Sequence, residues 1–308
     1  MKTTRITNKF KRMLLGGWRQ GANTPICPDT PRLDGKIVAI TGGNRGIGYE
    51  TVKGLSERGA EVIVLSRNLK KTEATVRELP STVHSVKLDL EDILQIPSAV
   101  REINKILNGR YIDILINNAG IAVKGPCQVS PQGFEKTFAV NVLGHHILFR
   151  LCHQRGLLAD SAKIISVTGD IYIQADDCTV DYKYRGTSGM AAYSRSKIGL
   201  MWWAYQCLDH HPNYQVNLVH PGIVPSGLGN DENSLLVKIM GKLFVTSKLG
   251  AQMSLICATQ EDIENGAYYH NTLGKMILPK DDVALDQKRA LKMWNELEQI
   301  FDSYIIAY

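Results

Sequence analysis

The segment Tyr193-Ser194-Arg195-Ser196-Lys197 sets a phenol and an ammonium four residues apart. In a helix, positions i and i+4 lie on one face, so the two groups point the same way. A free tyrosine, with a pKa of about 10, is a poor acid–base catalyst at neutral pH. A neighbouring cation favours the phenolate and lowers that pKa toward the useful range. The pair suits hydride transfer, in which a substrate oxygen gains or loses a proton as hydride enters or leaves its carbon. A lone pair at this spacing often arises by chance, so its meaning depends on the elements that carry it. Here it opens a helical run that follows a nucleotide-type turn and precedes an apolar strand.

That turn is Thr41-Gly42-Gly43-Asn44-Arg45-Gly46-Ile47-Gly48, which reads TGxxxGxG. It joins the apolar run Lys36–Ile40 to the helical pattern Tyr49–Arg58. A glycine turn between strand and helix lets the backbone approach a pyrophosphate and aims the helix N-terminus at it. Gly42 permits the tight turn, Gly46 the close approach and Gly48 the packing of the helix, with Asn44, Arg45 and Ile47 in the same site. The end of the second strand selects the cofactor. An acid there would bind the ribose hydroxyls of NAD; this chain has Ser66-Arg67, with Arg67 19 residues beyond Gly48. Arginine cannot accept a hydrogen bond but pairs well with a 2′-phosphate. Arg45 is a second clamp, and together they favour NADP. Asp89 ends the third strand, placed to hydrogen-bond the adenine edge, with Leu90 beside it. Asn117-Asn118-Ala119-Gly120 follows the fourth strand, where the chain must pass close beneath the cofactor.

The elements that position these residues alternate. Strand-like runs Glu61–Leu65, His84–Leu88, Asp113–Ile116, Ala162–Val167 and Gln215–Val219 are separated by helical patterns at Thr72–Leu79, Ser98–Leu107, Phe134–Leu151 and Ala191–Leu208. Short buried runs between helices call for a parallel sheet covered on both faces. The expected fold class is α/β: a Rossmann-type doubly wound parallel sheet in a single domain, 33–308, binding its ligand at the carboxyl ends of the strands.

With 308 residues, 44% of them hydrophobic, the chain has ample material for a core, which excludes disorder. No apolar run reaches the length of about 18 residues that a spanning helix needs. The net charge of +6 equals the six basic residues of 1–28 (Lys2, Arg5, Lys9, Lys11, Arg12 and Arg19), so the rest is neutral and a nucleic-acid groove is not indicated. Residues 1–32 read as a basic, poorly structured extension, in which Ile6, Phe10, Leu14 and Leu15 could form the apolar side of a short helix. A solvated strap, a membrane-surface contact and an organelle presequence all remain open for it. Six scattered cysteines without a CxxC pair fit reduced cytosolic thiols and no metal site. The pairs His145-His146 and His210-His211 lack ligand spacing and read as structural; Trp202 and Trp203 read as core or subunit packing.

The joint order of Thr41–Gly48, Asn117–Gly120, Asn141, Tyr193–Lys197 and His220-Pro221-Gly222 resembles the short-chain dehydrogenase/reductase superfamily. Gly250–Leu255 (GAQMSL), Asn265–Tyr269 (NGAYY) and Leu291–Trp294 (LKMW) resemble its retinol-dehydrogenase-like branch. The resemblance implies an NADP-dependent oxidoreductase that interconverts a carbonyl and an alcohol on a lipophilic molecule of the retinoid, steroid or long-chain aldehyde class. It gives Tyr193 the role of general acid–base and Lys197 that of lowering its pKa and holding the nicotinamide ribose. Asn141 would anchor a water that links Lys197 to solvent. Pro221, Ile223 and Ser226 would contact the nicotinamide end. Residues 233–245 read as an amphipathic helix that either covers the core or, as the resemblance implies, belongs to a substrate lid over about 227–249. It is a second candidate for peripheral membrane contact, and the resemblance also implies pairing into a homodimer.

One position departs from the family pattern. The usual V-S-S after the fifth strand falls on Val167-Thr168-Gly169, which leaves glycine where a serine would hydrogen-bond the substrate oxygen. Thr168 can supply the hydroxyl if the strand end shifts by one residue, Ser166 is the other candidate, and a site with no hydroxyl is the third. The rival expectation is a nucleotide-binding regulatory or scaffold protein of weak turnover.

Overall fold

The computed structural model describes residues 1–308 except 7, 18, 19, 188, 225–243 and 306–308. Ser226, most of the expected lid 227–249 and nearly all of the expected helix 233–245 lie outside the described residues.

Nine strands form one sheet: β1 (Thr3–Arg5), β2 (Ile37–Thr41), β3 (Glu61–Ser66), β4 (Val83–Lys87), β5 (Ile112–Asn117), β6 (Leu158–Val167), β7 (Gln215–His220), β8 (Tyr268–His270) and β9 (Gly274–Ile277). Their order is β1-β9-β8-β7-β6-β5-β2-β3-β4. From β4 to β8 every pair is parallel. The β8–β9 pair is antiparallel. The strands β2, β3 and β5, the second half of β6 and β7 are largely buried on both faces, which a parallel sheet with helices on each side requires.

One face packs on the helices Ile96–Leu107, Gly144–Gln154, Gly189–His210 and Gln287–Ile305, with Trp202, Trp203 and Trp294 in its core. The other packs on Gly46–Glu57 and Gln252–Thr259 through Val52, Leu55, Met253 and Leu255. Trp202 and Trp203 are thus core residues; their indole N–H groups donate to Val283 O (2.9 Å) and His146 Nδ1 (3.2 Å). All six cysteines are unpaired, and five are buried.

Three features differ from the sequence expectation. First, the N-terminal segment is not a loose extension. Its strand β1 pairs in parallel with β9, Thr4 opposite Met276, and closes the sheet edge. The helix Lys9–Gly17 follows, and the Arg12 side chain is 1% exposed. Second, β8 and β9 add an edge that short, non-alternating sequences such as YYH and GKMI do not announce. Third, the long helix expected at Phe134–Leu151 widens into a π turn over Ala139–Leu143 before continuing as Gly144–Gln154. Such turns concentrate at functional sites, and this one carries Asn141.

Candidate active site

The strand order reverses between β2 and β5, and the loops leaving these two strands meet at that crevice. Thr41 Oγ1 accepts from the backbone N–H of Asn118 (3.0 Å) and of Ala119 (2.9 Å). Asn118 Nδ2 donates to Thr41 O (2.8 Å) and Gly42 O (3.2 Å). The Asn118 side chain therefore binds the two loops together. Gly42 has φ +71°, and a Cβ on Gly48 would fall on the Gly42 carbonyl, so neither position admits a side chain. Arg45 caps the helix Gly46–Glu57 with extended backbone and no side-chain hydrogen bond, so the first-turn amides carry no side-chain cap. Uncapped amides at a helix N-terminus suit a phosphate.

Arg45 and Arg67 are both exposed, and neither side chain has a hydrogen bond or ion pair among the described residues. Asn44, Gly46 and Ile47 line the same turn, each partly exposed. Half-buried Asp89 accepts from Glu91 N–H at 3.1 Å. Leu90 is buried against Gly144, where a Cβ would come within 2.5 Å of the Leu90 carbonyl. Gly120 lies between this cradle and the catalytic pair: a Cβ there would stand 3.7 Å from Lys197 Nζ.

Tyr193 and Lys197 sit one turn apart in the helix Gly189–His210, with Lys197 Nζ 5.4 Å from the Tyr193 ring centre. The Tyr193 ring is half-buried, and its hydroxyl has no partner among the described residues. Lys197 Nζ donates to Val167 O at 2.9 Å. Burial pushes the Lys197 ammonium down to about 8 and the Tyr193 phenol up to about 12. In both groups the cause is desolvation, which disfavours the charged form.

Asn141 is fully buried and works as a joint. Its Oδ1 accepts from Ile121 N–H (2.8 Å), and its Nδ2 donates to Ile121 O (3.0 Å) and Ser196 Oγ (2.9 Å). It thus ties the loop after β5 to the helix of Tyr193. His145 extends the joint, with Nδ1 on Asn141 O (3.0 Å) and Nε2 on Thr41 Oγ1 (2.9 Å). Burial pushes His145 down to about 4, so the ring is neutral. A carbonyl only accepts, so Nδ1 carries the proton and Thr41 donates to Nε2. The sequence marked His145 as structural; it links the glycine turn to Asn141.

The hydroxyl expected at Thr168 does not face a substrate oxygen as a free donor. Thr168 Oγ1 donates to Lys197 O at 3.0 Å and is buried. Ser166 is fully buried, with Oγ accepting from Asn117 Nδ2 at 3.4 Å. Both hydroxyls join strand to neighbouring structure. Gly169 has extended backbone, and among the described residues a Cβ there would meet His220 Nδ1 at 3.6 Å and Ile171 Cγ2 at 4.0 Å.

Beyond Gly169 lies a buried ion cluster that sequence reasoning missed. Asp170 accepts from Tyr268 Oη at 2.6 Å, and its Oδ2 lies 3.5 Å from His270 Nε2 and 3.7 Å from Arg12 Nε. Arg12 also donates to Tyr172 Oη (2.7 Å) and Asp282 Oδ2 (3.3 Å). Burial alone would raise the Asp170 carboxyl, but His270, His220 and Arg12 hold it well below the usual carboxylate range. Asp170, His220 and His270 bring three donor atoms within 4.8 Å, the donor set of a metal site. Their hydrogen bonds oppose that use. Both Nδ1 atoms accept from backbone N–H groups, His220 from Asp170 and His270 from Thr272, which puts the ring protons on Nε2. Arg12 supplies the positive charge. Pro221 is buried and Ile223 45% exposed at the carboxyl end of β7.

The family profile described as short chain dehydrogenase matches residues 36–235. The chain belongs to the short-chain dehydrogenase family. Human retinol dehydrogenase 12 is 31% identical over 285 residues, covering 88% of this chain and 87% of that protein. Mouse retinol dehydrogenase 13 is 29% identical over 290 residues, covering 88% and 85%. Among solved structures, an uncharacterized protein of Mycobacterium paratuberculosis superposes with a TM-score of 0.71 at 25% identity, covering 91% of this chain and 98% of that one. A short-chain dehydrogenase of Burkholderia cenocepacia, solved with NADP, superposes with a TM-score of 0.61 at 24% identity, covering 77% and 96%. No helix among the described residues of this short-chain dehydrogenase is long and apolar enough to cross a membrane.

Proposed function

We propose that the chain is an NADP-dependent oxidoreductase interconverting a carbonyl and an alcohol on a lipophilic small molecule. The observation that carries the reading is the half-buried Tyr193 hydroxyl, free of protein partners among the described residues, beside Lys197 and joined through Gly120 to the glycine turn. The cradle fits the cofactor: uncapped amides at Gly46–Gly48 for the pyrophosphate, and two unpaired arginines, Arg45 and Arg67, for a 2′-phosphate. Asp89 and Leu90 would hold the adenine, Asn118, Ala119 and Gly120 the middle, and Pro221 and Ile223 the nicotinamide. Bound there, NADPH would supply hydride.

The residues of the chain do the proton work. At neutral pH Tyr193, pushed up to about 12, keeps its proton on Oη and can give it to a substrate oxygen. Lys197 Nζ, held by Val167 O, stays oriented beside that phenol and favours the phenolate once the proton has left. The substrate class rests on the names of the retinol dehydrogenase relatives.

A second reading, a nucleotide-binding protein of weak turnover, is favoured by Gly169 and by the commitment of the Thr168 hydroxyl to Lys197 O. Oxidation of NADPH against NADH, with retinal, steroid ketones and medium-chain aldehydes, separates the two. Turnover with NADPH that disappears in Tyr193→Phe is expected. Tight NADPH binding without turnover on any of these would favour the second reading.

A further inference from the structure

The turn that leaves β7 is gripped from a direction the sequence does not suggest. Gln20, from the short N-terminal helix Gln20–Asn23, is fully buried. Its Oε1 accepts from the backbone N–H of Ile223 at 2.8 Å, across 203 residues of sequence. Its Nε2 donates to Gly17 O at 3.3 Å. The partner turn has no slack: Gly222 has φ +88°, and a Cβ there would crowd Gln20 Oε1 (2.6 Å), Asn271 Nδ2 and Val245 (2.9 Å). Asn271, fully buried, donates to Thr24 Oγ1 at 3.3 Å, which in turn donates to Gln20 O at 2.8 Å.

Upstream, the helix Lys9–Gly17 is fixed to the body of the protein. A Cβ on Gly16 would stand 2.6 Å from His270 Nε2, so the backbone lies directly on that ring. Thr272 Oγ1 donates to Gly16 O at 3.3 Å, and the Arg12 contacts described above hold the other end. The described residues Arg12–Gly17 and Gln20–Thr24 therefore form a fixed wall against the carboxyl ends of β7 and β8.

We infer that Gln20 is a positioning residue for the nicotinamide half of the cofactor site: it fixes the Pro221–Ile223 turn through the Ile223 amide. The inference rests on the oxidoreductase reading, in which that turn meets the nicotinamide. The acceptor is itself fully buried and arrives from a separate segment, so it holds the part-buried Ile223 N–H in one geometry. Loss of the acceptor releases the Ile223 amide, leaving the turn held at Ile223 O by Val245 N–H, without touching Arg45, Arg67 or the glycine turn.

The test is a binding titration of the full chain with NADPH, NADH and adenosine 2′,5′-bisphosphate, which lacks nicotinamide. Gln20→Met keeps the side-chain volume and removes the strong acceptor. It is expected to weaken NADPH about tenfold, the effect of one lost buried hydrogen bond, and to leave the bisphosphate within about twofold. Gln20→Glu, protonated in this buried place, keeps both an acceptor for Ile223 and a donor for Gly17, and is expected to restore NADPH binding. Equal weakening of both ligands, or of neither, would overturn the inference.

Hydrogen exchange on the unaltered chain gives a second measure that does not depend on the variants folding. The Ile223 amide is expected to exchange slowly although its side chain is exposed; exchange at the rate of an open loop also overturns the role of Gln20. Failure of the unaltered chain to bind either dinucleotide would instead overturn the cofactor reading, and the exchange rate of Ile223 would still decide the placement of Gln20.

Discussion

At Gly169 the chain lacks the side chain that would face a substrate oxygen, and the neighbouring hydroxyls of Thr168 and Ser166 are turned into the scaffold. The backbone there is extended, and among the described residues the nearest atom to a Cβ would stand 3.6 Å away. Gly169→Ser is therefore expected to fold with an unchanged melting temperature and to raise kcat for carbonyl reduction by about ten- to a hundredfold, the scale of one oxyanion donor. Single-turnover rates of the two forms check this; an equal or lower rate would show that the substrate oxygen is bound elsewhere. The motif residues were legible because their chemistry is local. Tyr193 and Lys197 share one helix turn, and Thr41 to Gly48 is a single loop. The role of Thr168 was not legible, because its partner is a backbone carbonyl on another element. The burial that lifts Tyr193 to about 12 was likewise invisible, since it depends on everything packed around the ring.

At the scale of elements, the N-terminal segment carries the largest difference between sequence and structure. Its excess of basic residues resembles a solvated tail because every partner is remote: Tyr172 lies 160 residues from Arg12, and Asp282 lies 270. A three-residue strand such as Thr3–Arg5 is too short to show alternation. Arg12 meets Asp170 and Asp282 in a buried cluster, so removing it strands two carboxylates. Arg12→Met is expected to lose about 3–5 kcal/mol of stability. Adding Asp170→Asn should recover much of that loss by removing the uncompensated charge. Urea unfolding of the two variants checks the pair; a full-strength single variant would mean that the cluster contributes no net attraction. The strands β2, β3 and β5 to β7 were readable as short apolar runs, and the helices between them from their spacing, because the strict alternation of the two leaves a parallel sheet as the one arrangement that buries both.

The whole molecule is set up to fail in acid. His145, His146 and His220 are held neutral by burial, at about 4, 3 and 3. The unfolded chain takes up these protons near the ordinary histidine value of about 6.5. The stabilisation is thus complete above that pH and is lost as pH falls below it. Each group withdraws on the order of 3 kcal/mol by pH 4. Asp170, held below the carboxylate range, adds to the loss only in stronger acid. Urea midpoints should fall steadily between pH 7 and pH 5; a flat midpoint across that range would contradict the neutral assignment of the three rings.

The β1–β9 pairing also has a consequence in time. Thr4 Oγ1 donates to Leu273 O at 2.6 Å, across 269 residues. Translation produces residues 3–5 long before Gly274–Ile277 exists to receive them. The strands β2 to β5 can pair and cover their faces in the meantime, since their partners are close in sequence. The wall against β7 and β8 must then be docked as one of the final events, by chain that has waited since early in synthesis. A nascent or truncated product that stops short of β9 is therefore expected to hold a formed nucleotide half beside an unlatched Arg12, with Asp170 lacking its counter-charge. In the finished chain, that late docking sets residues 3–5 beside residues 275–277 at a single sheet edge.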